Sequence, residues 1–221
     1  MRYLTTAILT ALFATAAAAH FVYVVPTKDA KGVQVVFSDS LDPDENVAIE
    51  KVKSLKLTAR AADGKETGVE HKIAEHALIA TVPAQTQVVY GSVTYGLLTR
   101  KDVKPAILLY HPKAILGACD AKVATLGDKA PIEIVPVAVS GKTAFRVTVG
   151  GKALADTEVS VLLPDGGKAK WKTDKDGQTE AATATGRHAL WARHMEAKAG
   201  EHDGQKYEEI RHYATLVIDV K

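Results

Sequence analysis

The sequence predicts an all-β protein: two β-sandwich domains behind a cleaved leader. Three observations carry this expectation. Short stretches alternate apolar and polar residues along most of the chain, as strands with one buried face do. Turn pairs such as Lys31-Gly32, Asp63-Gly64 and Asp176-Gly177 punctuate those stretches. Helical periodicity is confined to one short candidate, Asp44 to Val52.

The chain opens on a leader. Met1 and Arg2 give a positive start, Leu4 to Ala19 is apolar or small apart from four threonines, and Ala17-Ala18-Ala19 satisfies the small-x-small rule of signal peptidase. Residues 1–19 are therefore expected to be a signal peptide, with export to a periplasm or beyond. No later stretch approaches the length of a membrane span. The single cysteine, Cys119, cannot form an internal disulfide, so the fold must stand on its core. About 200 residues are enough for that.

Strands are expected at His20 to Val25 and Val33 to Ser38, then Ser54 to Arg60, turning at Ala62-Asp63-Gly64-Lys65. Ala77 to Val82, Gln87 to Tyr95 and Ala106 to Tyr110 continue the series. Between them, Asp39-Ser40-Leu41-Asp42-Pro43-Asp44-Glu45 is acidic and turn-rich. It lacks the regular ligand spacing of a calcium loop and reads as a solvated loop. Pro112 to Ala130 is mixed and poorly periodic, and places a linker at 116–130 between domains 20–115 and 131–221. The second half then repeats short strands and turns, among them Phe145 to Val149, Thr157 to Leu163, Lys170 to Thr173, Gly186 to His194 and Tyr213 to Val220. About seven antiparallel strands suit a sandwich.

Charge and motifs exclude several functions. The net charge is only +2 with both signs interspersed, so no basic stripe argues for nucleic acid. No Ser-His-Asp signature, HExxH or paired-carboxylate motif is present. His71, His76 and His111 read as structural or surface residues.

The chemistry-bearing candidate is His20. Cleavage after Ala19 makes it the first residue, and its free amine and imidazole Nδ1 then close a six-membered chelate ring. A further histidine would complete an N3 site of the histidine-brace kind, which suits copper first and nickel second. The best partners lie in the last hairpin. A turn centred near His202 sets His194 almost opposite residue 211 or 212, so His194 and His212 are about 5 Å apart at Cβ. His188 shares their side of the strand but is roughly 20 Å from His194. The metal set expected is His20, His194 and His212, with Asp39, Asp42 or Asp44 as a fourth or outer ligand.

Two likenesses add to this. Gly151-Lys152-Ala153-Leu154 running to Val159-Ser160-Val161, then Thr173-Asp174…Gly177, then Gly186…Leu190-Trp191-Ala192, resembles Cna-B-like or carboxypeptidase-regulatory-like domains. That resemblance implies an Ig-like or prealbumin-like sandwich acting as a structural or adhesive module. Ala19-His20-Phe21…Pro26 with the closing Arg211-His212-Tyr213-Ala214-Thr215-Leu216 makes the whole chain resemble the NikM-like nickel-uptake periplasmic family, much of it of unknown function. This resemblance implies metal uptake, delivery or storage, with a cell-envelope protein or transporter as partner. Two other readings stand beside it: a non-enzymatic structural or interaction module of the cell envelope, and a copper-dependent oxidative enzyme. The latter lacks the aromatic-rich flat surface that polysaccharide chemistry needs.

Overall fold

The computed structural model describes residues 20–221. The leader reading concerns residues 1–19 and lies outside the described residues. The fold is an all-β sandwich assembly, as the alternation predicts.

The described residues open on a hairpin of β1 (Phe21–Pro26) and β2 (Gly32–Ser38), buried at every position except Val25 and Gln34. Apolar residues fill consecutive positions because both faces of this hairpin are covered. A 3-10 turn (Ile49–Val52) stands where a helix was expected over Asp44 to Val52. The Asp44 carboxylate bonds the backbone and side-chain nitrogens of Asn46, which bends the loop instead of capping a longer helix. β3 (Lys56–Ala61) and β4 (Glu66–Val69) pair across the expected 62–65 turn. β5 (Lys72–Ala74), β6 (Ala77–Thr81), β7 (Thr86–Leu98) and β8 (Ala106–Ile115) follow.

The expected linker carries a single helical turn, α1 (Ala121–Ala124), and a second 3-10 turn (Gly127–Lys129). Beyond it come β9 (Ile132–Val139), β10 (Lys142–Val149), β11 (Lys152–Ala153), β12 (Glu158–Leu162) and β13 (Lys168–Lys172). The chain closes with β14 (Gly186–Glu196), β15 (Gly200–His202), β16 (Gln205–Tyr207) and β17 (Glu209–Val220). The described second half thus has nine strands, of which β11, β15 and β16 are only two or three residues long.

One eight-stranded sheet runs through both halves in the order β13-β12-β14-β17-β8-β7-β3-β4. Its seam is the parallel pairing of β17 with β8, in which Tyr213 meets Tyr110. The four-stranded sheet β1-β2-β6-β5 and the three-stranded sheet β11-β10-β9 pack on this large sheet. Two cores result. Tyr110, Ala114 and Val217 join the β1–β2 hairpin in one; Ile115, Leu190, Ala214 and Leu216 join Ile132, Ile134 and Phe145 in the other. Alternation along β8 and β17 therefore sends Tyr110 and Tyr213 to the β1 face, and His111 and His212 to the β9 face.

β1 is fixed to the large sheet by specific contacts. The buried Thr215 hydroxyl donates to the Val22 carbonyl at 2.7 Å, and Phe21 stacks on Trp191 at 4.2 Å. The linker is held from below. The buried Lys113 ammonium pairs with the Glu133 carboxylate and donates to the Ala124 carbonyl at 3.0 Å. Glu133 in turn accepts from the backbone N–H groups of Leu126 at 2.8 Å and Gly127 at 3.2 Å. Arg60 donates to the Val123 and Thr125 carbonyls at 3.0 and 2.7 Å. No helix among the described residues is long and apolar enough to cross a membrane.

Candidate functional site

His20 immediately precedes β1 and is half-buried. Its ring lies edge-on to Phe37, and its carbonyl accepts from the Tyr110 hydroxyl at 3.4 Å. Its Nε2 is 2.8 Å from Asp44 Oδ2. The Asn46 backbone N–H first, and His20 second, hold the Asp44 carboxyl below the usual carboxylate range. An ionised Asp44 only accepts, so His20 Nε2 carries a proton, and in the neutral ring this leaves the lone pair on Nδ1. Nδ1 is the nitrogen that a chelate with the backbone nitrogen of the same residue requires. Of the acidic loop, Asp44 makes this contact, while Asp39 pairs with Lys168 at 3.3 Å.

The last hairpin has the expected register: His194 sits directly opposite His212. Their rings are 6.3 Å apart and inclined by 20°. The structure does not bring His20 to them. His20 belongs to the β1 face of the large sheet, bonded through Tyr110, whereas His194 and His212 lie on the β9 face. The thickness of a sheet separates the two loci, because residue 20 enters β1 on one side and even-numbered residues of β17 point to the other. His188 also points to the β9 face but is fully buried, with Nδ1 against the Gly186 carbonyl at 3.1 Å and Nε2 unpartnered.

The hairpin pair has neighbours that the sequence did not single out. His111 Nε2 is 3.0 Å from His212 Nδ1, and His111 Nδ1 is 3.2 Å from the Ser92 hydroxyl. His212 Nε2 is 3.4 Å from Glu196 Oε2. Burial pushes His111 down to about 4, helped by His212, and burial also lowers His212. Both are therefore neutral near pH 7, the form in which imidazole binds metals. The hydrogen bonds have one consistent direction. Glu196 accepts from His212 Nε2–H, leaving His212 Nδ1 to accept from His111 Nε2–H, and His111 Nδ1 to accept from Ser92.

Pro112 explains the approach of Ser92 to His111. The β7–β8 ladder is continuous at Tyr90↔Lys113 and Val93↔Tyr110, but carries no pairing for Gly91 and Ser92 opposite His111 and Pro112. Proline has no N–H to donate, so the ladder opens there. A cleft of about 430 Å³ lies over this gap, lined by Lys56, Ser92, His111, Lys113, Glu133 and Ala214 among others. Among the described residues, no three His, Cys, Asp or Glu side chains converge on a point that would hold an ion as they stand.

No family model and no curated protein sequence matches this chain. A solved structure of a 1.5-MDa bacterial ice-binding adhesin is similar at 13% identity and a TM-score of 0.22, over 91% of this chain and 65% of that one. This chain thus spans just under two thirds of the adhesin chain's length. A structure comprising the manganese lipoxygenase of Gaeumannomyces graminis and part of the zonadhesin of Komagataella pastoris is similar at 12% identity and a TM-score of 0.17, over 91% and 96% of the two chains. Likenesses this low carry no argument about what this chain binds.

Proposed function

We propose that the processed protein is a periplasmic transition-metal-binding protein that takes copper, or alternatively nickel, at the amine and Nδ1 of His20, for uptake, delivery or storage. The observation that carries this is the 2.8 Å bond from His20 Nε2 to Asp44. A carboxylate behind the non-ligating nitrogen fixes tautomer and ring orientation and raises ligand basicity, as outer partners of metal-bound histidines do. The resemblance to the NikM-like periplasmic family supports the same reading. Nitrogen-rich planar coordination favours Cu(II), then Ni(II). The chelate fills two positions and leaves the rest for water or for a group from an envelope partner, which suits delivery. The hairpin histidines His194 and His212 are then a separate donor set and not the third ligand of this site.

Asp44→Ala is expected to weaken Cu(II) binding by the processed protein by about 10- to 100-fold, the usual effect of removing such a partner. Competition titration against a chelator of known affinity measures this. A structural or interaction module of the envelope makes no such demand on Asp44. Unchanged affinity in Asp44→Ala, with the fold intact, favours that reading.

A further inference from the structure

The large sheet carries a polar row on its β9 face that the His20 site does not use. Ser92 of β7, His111 of β8, His212 of β17 and His194 of β14 lie on consecutive strands, with Glu196 two residues beyond His194 on the same side. His212 is buried, its side chain 7% exposed, whereas Glu196 is 44% exposed, so the row runs from the interior to the rim.

The 3.4 Å separation of His212 Nε2 from Glu196 Oε2 is informative. It is a long, weak hydrogen bond against the usual range of about 2.7–3.2 Å. It matches two ligands of one tetrahedral ion: bonds of about 2.05 Å at the tetrahedral angle set the nitrogen and oxygen about 3.4 Å apart. His194 is the third donor. Two imidazoles on one tetrahedral ion have centres about 5 Å apart by the same bond lengths. His194 and His212 are at 6.3 Å, so the half-exposed His194 has to close by about 1 Å by side-chain rotation.

We propose a second metal site, of the zinc type, formed by His194, His212 Nε2 and Glu196, with His111 as its positioning residue. Two imidazoles and a carboxylate with an open fourth position are a zinc donor set, distinct from the planar amine–imidazole set at His20. Binding reverses the hydrogen-bond direction of the row. With metal on Nε2, the His212 proton resides on Nδ1 and is donated to His111 Nε2. The His111 proton moves to Nδ1 and is donated to Ser92 Oγ, 3.2 Å away. Both rings are neutral before and after, so no proton leaves the row. His111, buried between Ser92 and His212, thereby holds the His212 ring in its ligating orientation.

The test uses the processed protein carrying one extra N-terminal residue, which removes the His20 chelate and separates the two sites. Co(II), as a probe for zinc, is expected to give visible bands of low-symmetry four- or five-coordinate cobalt at one equivalent, displaced by Zn(II). Glu196→Gln and His194→Ala, both at positions that leave the core untouched, each weaken Zn(II) at least about tenfold. His111→Phe weakens it about tenfold. ¹⁵N NMR of the histidine rings reports the protonated nitrogen of His212 and His111 moving from Nε2 to Nδ1 on adding Zn(II). Absence of zinc binding in the extended protein overturns the proposal. So does affinity unchanged in both Glu196→Gln and His194→Ala, or a His212 that keeps its Nε2 proton when zinc is bound. Copper binding at His20 is read on the unextended protein and stands or falls separately.

Discussion

Lys113→Met is expected to destabilise the protein by about 3–5 kcal/mol, the effect of stranding one member of a buried ion pair. Lys113 and Glu133 are 3% and 2% exposed, so neither charge has water to fall back on. Burial drives the Lys113 ammonium below its ordinary range, and Glu133 is what opposes that. After the substitution Glu133 keeps two backbone N–H donors, from Leu126 and Gly127, which favours the lower end of the range. For a chain of this size the loss corresponds to a melting temperature lower by about 6–20 °C. Glu133→Ala is harsher in kind. It strands the ammonium and also orphans the two N–H groups that fix the linker, so a paired apolar replacement does not restore the wild-type value. Thermal or urea denaturation measures all three; a shift of less than about 2 °C in Lys113→Met contradicts the account.

The metal-free protein is expected to lose stability as pH falls from about 6.5 to about 4. In the unfolded chain His111 takes a proton near 6.5; in the folded protein burial delays this to about 4. Between those values the unfolded state binds more protons, so stability rises with pH. The contribution is fully present above 6.5 and lost as pH drops through about 4, and its full span is about 3 kcal/mol. His212, lowered in the same direction, adds to it. Glu66 is held down to about 2 by Lys129 and Arg60, so its loss comes at lower pH. Urea denaturation at pH 7 and pH 4.5 measures the slope, and His111→Gln should flatten it. Equal stability of the wild type at the two pH values contradicts the burial of an uncharged pair.

These two groups were the least legible parts of the sequence, for a physical reason. Strand alternation, the 62–65 turn and the His194–His212 register are local. Each is written within one hairpin, where turn length fixes which residues face each other. The parallel pairing of β8 with β17 joins residues about 100 positions apart and leaves no local mark. That pairing alone sets His111 beside His212, so His111 read as a structural residue before Pro112. Pro112 was the available signal: a proline inside an apolar run announces a break in the ladder, and here the cleft lies over that break. Lys113 and Glu133 were hidden in the same way, since a charge in a strand reads as solvated until its partner is known. The docking of the two halves is open in the sequence for the same reason. Whether His20 reaches the last hairpin depends on which side of the shared sheet β1 packs, and alternation within β1 says nothing of that. Asp44 reads from the sequence as one of three acidic-loop candidates for a fourth or outer ligand, because nothing within the loop singles it out; its contact with His20 is made 24 residues along the chain, across the β1–β2 hairpin.

The central claim is that His20 binds metal with its own terminal amine. The direct measurement is Cu(II) affinity by competition titration, comparing protein that begins at His20 with the same protein acetylated at the His20 amine. The account predicts one tight equivalent for the first and a loss on the order of 100-fold for the second, because acetylation removes one arm of a chelate that acts at high effective concentration. Equal affinity of the two forms contradicts it.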